Sequence, residues 1–135
     1  MRFNELTEEN ITPIQWIDKI YQKYPVNPLN NRQRAIVYGD GEDQTFAMFE
    51  LVPSKSAKNA VEIKWFQAYP LRKGTGSIAM KELMQQAQED GITLTLFPWD
   101  KGVVSQSALM RFYRKLGFRP TSKHSKNMIW NPNAS

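Results

Sequence analysis

Leu71-Arg72-Lys73-Gly74-Thr75-Gly76-Ser77 stands between a strand-like run and a helix-like run, and the reading of this turn decides the fold. Upstream, residues 60–68 alternate. Val61, Ile63 and Trp65 are expected on one side, and Glu62, Lys64 and Phe66 on the other, as in a strand. Downstream, Met80, Leu83, Met84 and Ala87 fall at i, i+3, i+4 and i+7, so residues 76–90 read as an amphipathic helix. Gly91 ends it. Glycines in the turn let the backbone approach a ligand closely. The first N–H groups of the helix have no internal partner, and its dipole favours negative charge there. Arg72 and Lys73 add two cations. A strand, a basic glycine turn and a helix in this order make a candidate pyrophosphate site.

Two other nucleotide readings compete for the turn. Gly74-x-Gly76-x-x-Ala79 fits the dinucleotide fingerprint, with Asp100 downstream. Against it, the first glycine comes well after the strand ends, and only 59 residues follow Gly76, too few for a doubly wound sheet. A Walker loop is excluded, because no Gly-Lys-Ser/Thr stands at the right spacing.

Beyond the helix, residues 93–97 read as a short apolar strand and 98–102 as a loop carrying Trp99. Trp99 suits the lining of a substrate site or a plug at the core edge. Ser105 or Ser107 caps a further helix with Leu109, Phe112, Tyr113 and Leu116 on one face. Gly117 closes it, and residues 118–121 and 127–130 suit a final hairpin. On the N-terminal side, residues 2–6 suit a first strand. Thr12-Pro13-Ile14-Gln15 is a helix start with a capping box, and Pro25 and Pro28 end that helix. Residues 26–34, rich in Asn and Pro, read as a loop. Residues 35–38 and 45–52 form a hairpin around Gly39-Asp40-Gly41-Glu42-Asp43. The order is β-α-β-β-β-α-β-α-β-β: an α/β (α+β) unit with a mixed, mostly antiparallel sheet flanked by helices.

Composition narrows the chemistry. The 135 residues fit one domain. There is no cysteine, which removes disulfides, thiolate metal sites and a cysteine nucleophile together. The single histidine, His124, sits in a polar stretch without an evident triad partner. No apolar run is long enough to span a membrane, and Met1-Arg2-Phe3-Asn4-Glu5 lacks the apolar segment of a signal peptide, so a cytoplasmic protein is expected. The charge is uneven. Residues 1–60 carry 7 Lys and Arg against 8 Asp and Glu, while residues 61–135 carry 11 against 5. A basic half favours an anionic partner.

The turn at Gly74-Thr75-Gly76 and the later helix ending Phe112-Tyr113-Arg114-Lys115-Leu116-Gly117-Phe118 together resemble the GCN5-related N-acetyltransferase (GNAT) family over residues 59–120. The resemblance implies a GNAT-like fold and a single acyl-CoA N-acyltransferase domain over residues 1–135. It also implies a site lying where two strands splay apart. By it, Arg72, Lys73, Gly74, Thr75, Gly76 and Ser77 cradle the pyrophosphate of acetyl-CoA, and Phe66 and Ala68 offer backbone groups to the pantetheine arm. Gln106 falls where many members have an Asn beside CoA. Tyr113 becomes the general acid that protonates the departing thiolate. The chain departs from the family in having Leu71 three residues before Gly74, where Arg or Gln is usual, and in a shorter turn after Pro70. The region after the first helix is also short, with no convincing second helix, which suggests an open acceptor site for a macromolecule. The C-terminal third resembles small acetyltransferase-like proteins of tailed bacteriophages, whose place is the host cytoplasm.

Direct transfer from a thioester to an amine needs proximity, an oxyanion donor and proton handling, and neither metal nor enzyme nucleophile. Glu62 is the first candidate base and Asp100 the second. The bland alternative for Glu62 is an ion pair with Lys64. The acceptor is an amine of a protein or small molecule. A nucleic-acid-directed enzyme and a catalytically silent binding protein are the other classes, and nucleic acid is admitted as a partner without being favoured. A homodimer stays open.

Overall fold

The computed structural model describes residues 11–70, 74–99, 102 and 104–132. The expected strand at 2–6 lies outside them, as do Leu71, Arg72, Lys73, Asp100 and Lys101. The elements are α1 (Pro13–Lys23), β1 (Val26–Asn27), β2 (Asn30–Tyr38), a 3-10 turn (Gly41–Asp43), β3 (Thr45–Pro53), β4 (Ala60–Tyr69), α2 (Thr75–Asp90), β5 (Thr93–Leu96), α3 (Gln106–Leu116), β6 (Arg119–Pro120) and β7 (Met128–Trp130). They form a seven-stranded sheet in the order β1-β2-β3-β4-β5-β7-β6. Every neighbouring pair is antiparallel except β4 with β5, whose parallel pairing requires the α2 crossover.

The helix signals act as read. Thr12 Oγ1 accepts from Gln15 N at 3.1 Å, and Gln15 Oε1 accepts from Thr12 N at 3.0 Å, so both halves of the capping box form. Ser105 caps α3 by accepting from Ala108 N at 3.2 Å. Gly91 and Gly117 end α2 and α3 in left-handed conformation.

One helix-covered face of the sheet holds the core. Trp16 and Ile20 of α1 and Ala79, Met80, Leu83 and Ala87 of α2 join Phe49, Val61, Ile63 and Leu94 in a single buried cluster. Polar ties hold α1 against α2. Lys19 Nζ meets Asp90 Oδ2 at 2.6 Å, and the Tyr24 hydroxyl donates to Glu82. Glu82 also accepts from the Tyr38 hydroxyl at 2.8 Å, which brings β2 into the same tie.

Residues 26–34 are not the loop that their Asn and Pro content predicts. They form β1, a tight turn and the start of β2, with Asn27 opposite Asn30. The asparagines build the turn rather than prevent pairing. Asn27 Oδ1 accepts from Leu29 N and Asn30 Oδ1 from Arg32 N, both at 3.0 Å.

The face pattern of β4 also departs from simple alternation. Leu51 pairs with Ile63 and Glu50 with Trp65, so Lys64 is an extra residue in a β-bulge. Paired residues share a sheet face, which puts Val61, Ile63, Phe66 and Ala68 on the helix-covered side. Glu62, Trp65, Gln67 and Tyr69 fall on the other. Trp65 and Phe66 have therefore exchanged the sides expected of them. No helix among the described residues is long and apolar enough to cross a membrane.

Candidate functional site

The bulge matters because of where it falls. Parallel pairing of β4 with β5 runs from Ala60 opposite Thr93 to Ile63 opposite Leu96 and stops there. The next residue of β4 is the bulged Lys64. Beyond it β4 continues to Tyr69 along β3, whereas β5 has ended. A bulge bends its strand and increases the local twist, so β4 turns away from β5 at the point where pairing is lost. In a ladder, alternate residues direct their N–H and C=O groups to opposite sides. Half of the backbone groups of residues 64–69 therefore point away from β3, into the gap.

The gap leads to the first turn of α2. Gly74 is its N-cap, held at φ +82°, a conformation other residues adopt only with strain. No side chain caps this end. The N–H groups of Thr75, Gly76 and Ser77 precede the first intrahelical bond, Ile78 N to Gly74 O at 3.2 Å. Gly76 is a contact point rather than a turn residue. A Cβ there would lie 3.5 Å from Ala68 Cβ, 3.7 Å from Phe112 Cζ and 3.8 Å from Phe66 Cε2. The glycine turn, the diverging part of β4 and α3 thus converge on one spot.

Tyr113 stands one ring away from it. Its ring packs edge-on against Phe112 at 5.0 Å and against Phe118 at 5.7 Å between centroids. The residue is only 6% exposed, and its hydroxyl is hydrogen-bonded to none of the described residues. Burial pushes its ionisation well above the ordinary phenol range. A neutral phenol carries a proton that it can donate.

The opposite face carries a cleft of about 500 Å³ whose lining includes Glu62, Thr95, Lys55, Thr121 and Asn127. Glu62 sits across from Thr95 in the last paired stretch before the gap. Lys64 is not its partner. The ammonium of Lys64 lies 4.0 Å from Glu50 Oε2, on the neighbouring strand. The ion pair that the spacing of Glu62 and Lys64 invites does not form.

The expected site residues fall into three groups. Phe66, Ala68, Gly74, Thr75, Gly76 and Ser77 come together around the gap, with Tyr113 behind the Phe112 ring. Glu62 lies on the other face, beside the gap rather than within it. Gln106 opens α3 and donates from Nε2 to Pro98 O at 3.1 Å, tying down the loop before the helix. Trp99 plugs nothing: it is 61% exposed and touches Phe97 edge-on at 5.3 Å. Sequence reasoning missed the bulge at Lys64, the bridging ring of Phe112, and Lys55, Thr95, Thr121 and Asn127 in the cleft. Hydropathy carries no signal for these, because each depends on which strand lies opposite. Among the described residues no cluster of three or more His, Asp or Glu side chains is placed to hold a metal.

No family model matches the chain. No curated protein matches it either. Solved structures do. One is a protein assigned to the GNAT acetyltransferase family from Desulfovibrio desulfuricans, at 16% identity and TM-score 0.48, covering 73% of this chain and 67% of that one. Another is a transcriptional regulator from Bacillus halodurans, at 19% and 0.48, covering 78% and 70%. A third is a chain of a KacTA–DNA complex, at 14% and 0.51, covering 76% and 70%. At such identity the likeness is one of fold, and the fold is the mixed, mostly antiparallel sheet flanked by helices that was expected.

Proposed function

We propose that the chain is an acetyl-CoA-dependent N-acyltransferase that passes an acetyl group directly to an amine. One observation carries this reading. The pairing of β4 with β5 stops at a bulge, and beyond it the glycine-capped start of α2 meets Phe66, Ala68 and Phe112, the ring that adjoins Tyr113. The residues present fit the co-substrate. Gly74 holds the left-handed N-cap of α2, and Gly76 keeps a side chain out of the junction of Ala68, Phe66 and Phe112.

The N–H groups of Thr75, Gly76 and Ser77, with Arg72 and Lys73, hold the pyrophosphate. Phe66 and Ala68 hold the pantetheine arm through their backbone groups, and an N–H of the same stretch donates to the reacting carbonyl oxygen. When bound, acetyl-CoA supplies the acyl group and a thiolate leaving group. The Tyr113 hydroxyl gives its proton to the departing sulfur. Glu62 takes a proton from the amine, which attacks only when neutral. Its cleft lies on the face away from α2, so the sheet keeps donor and acceptor apart except at the gap.

The test is a thermal melt with acetyl-CoA, followed by thiol release with a panel of amines. A ligand at a hundredfold excess over its Kd stabilises the fold by about 2.7 kcal/mol. Glu62→Gln should keep that shift and lose turnover, most strongly on the acidic side of the rate profile. A melt unmoved by millimolar acetyl-CoA would remove the reading. An unmoved rate profile would remove only Glu62 from it.

A further inference from the structure

Residues 102–132 contain Arg111, Arg114, Lys115, Arg119, Lys123 and Lys126 and no Asp or Glu. All six are exposed. None of them is paired with a carboxylate among the described residues. Two cations elsewhere do have carboxylate partners: Lys19 meets Asp90, and Lys64 approaches Glu50. Arg119 directs Nη1 to the backbone oxygens of Arg114 at 2.9 Å and Phe118 at 2.7 Å. These contacts fix its guanidinium at the C-terminal end of α3, by Arg114.

Part of this charge has a local use. Arg114, Lys115 and Arg119 sit at the negative end of the α3 dipole. That does not account for Arg111, which stands three residues before Arg114 and four before Lys115. Like charges at those spacings destabilise a helix. Nor does it account for Lys123 and Lys126 in the turn between β6 and β7. The pyrophosphate site accounts for none of them, since it belongs to the first turn of α2. From Arg111 to Lys115 the helix rises about 6 Å, and the remaining cations extend the surface over β6 and its turn. Such a spread fits a line of phosphates better than a single compact anion.

We infer that the exposed side of α3, with Arg119 and the β6–β7 turn, is a docking surface for the phosphate backbone of a nucleic acid. Arginine forks suit phosphate oxygens, and lysines add point charge. An acidic membrane fits less well. A helix that lies on a membrane presents an apolar face to it. Here Tyr113 is buried, and Leu109, Phe112 and Leu116 are packed against the core. The inference is independent of the acyltransferase reading, because it uses none of the residues of that site.

The test is fluorescence anisotropy with a labelled 20-nucleotide single-stranded RNA and with a duplex of the same sequence, in the presence of excess CoA to fill the phosphate site of α2. Neutralising three or four phosphates gives a slope of log K on log salt of about −2 to −4. The triple variant Arg111→Gln, Arg114→Gln, Lys115→Gln should cut affinity at least about tenfold at 50 mM salt and reduce the slope by about 2. Its unfolding midpoint and its melt shift with acetyl-CoA should match the parent, which separates a lost surface from a lost fold. Lys123→Gln with Lys126→Gln serves as a second variant, away from any helix, and should weaken binding in the same direction. The inference is overturned if RNA and duplex both fail to bind at 50 mM salt, if excess CoA displaces them, or if the triple variant binds as the parent does. Binding to phosphatidylserine vesicles in place of nucleic acid would overturn it too.

Discussion

Tyr113 combines two properties that rarely occur together: a buried ring and an uncommitted hydroxyl. Its aromatic neighbours explain the burial and leave the hydroxyl without a structural task among the described residues. Tyr113→Phe keeps the ring contacts with Phe112 and Phe118 and removes only the oxygen. The expected outcome is a folded protein that still shows the acetyl-CoA melt shift, with turnover lower by about 10²-fold, the low end for positioned acid catalysis. If the hydroxyl were structural, turnover would hold and stability would fall by about 1 kcal/mol. Measuring both on the one variant decides between them. The sequence marked this residue through the helical stripe of Leu109, Phe112, Tyr113 and Leu116. It held no sign that the hydroxyl would be left unbonded, since that depends on every atom packed around it.

At the scale of elements, the bulge of β4 and the first turn of α2 set the geometry of the gap. Lys64 is the surplus residue, so deleting it leaves Phe66 and Ala68 facing the helices and Trp65 facing away. What deletion removes is the bend. The expected result is a folded protein in which β4 follows β5 further, the gap narrows, and the acetyl-CoA melt shift shrinks or vanishes. A deletion variant with the full shift would show that the bulge does not shape the site. Gly76 gives a graded companion. Alanine there meets ordinary contacts at 3.5 to 3.8 Å, whereas valine adds methyls between Phe66, Ala68 and Phe112. Helix ends were largely legible in the sequence, because caps are local chemistry: Thr12 with Gln15, Gly91 and Gly117 act where they stand, and of the two candidate serines Ser105 caps α3. The loop expected over 26–34 failed for the complementary reason. Asn and Pro composition marks a turn but does not say how short it is, and β1 and β2 take up the rest.

The molecule as a whole responds to alkaline pH through one buried and two half-buried tyrosines. Burial raises the ionisation of Tyr113, Tyr24 and Tyr38 above the ordinary phenol value near 10, and Glu82 adds to the rise for the last two. Below pH 10 both folded and unfolded chains hold these protons, and the stabilisation is fully present. Above it, the unfolded chain ionises first and binds fewer protons, so stability falls as pH rises. Urea midpoints should be level from pH 8 to 9.5 and lower at pH 11, with a shallower decline for Tyr113→Phe. Equal midpoints at pH 9 and pH 11 would show that these phenols ionise freely in the fold. What the sequence by itself determined was the local order: which stretches beyond residue 34 are helix and strand, how α1 is capped, and that a glycine turn opens α2 while an aromatic stripe lines α3. These follow from periodicity and from short-range hydrogen bonding, both contained in a few consecutive residues. What only the tertiary structure decided was the face of each residue beyond Lys64, the end of β4–β5 pairing at Ile63, the freedom of Glu62 from Lys64, and the meeting of Gly76 with Phe66, Ala68 and Phe112. Strand register is a relation between distant segments, and a one-residue bulge reverses every face after it, so no local reading of β4 contained the answer.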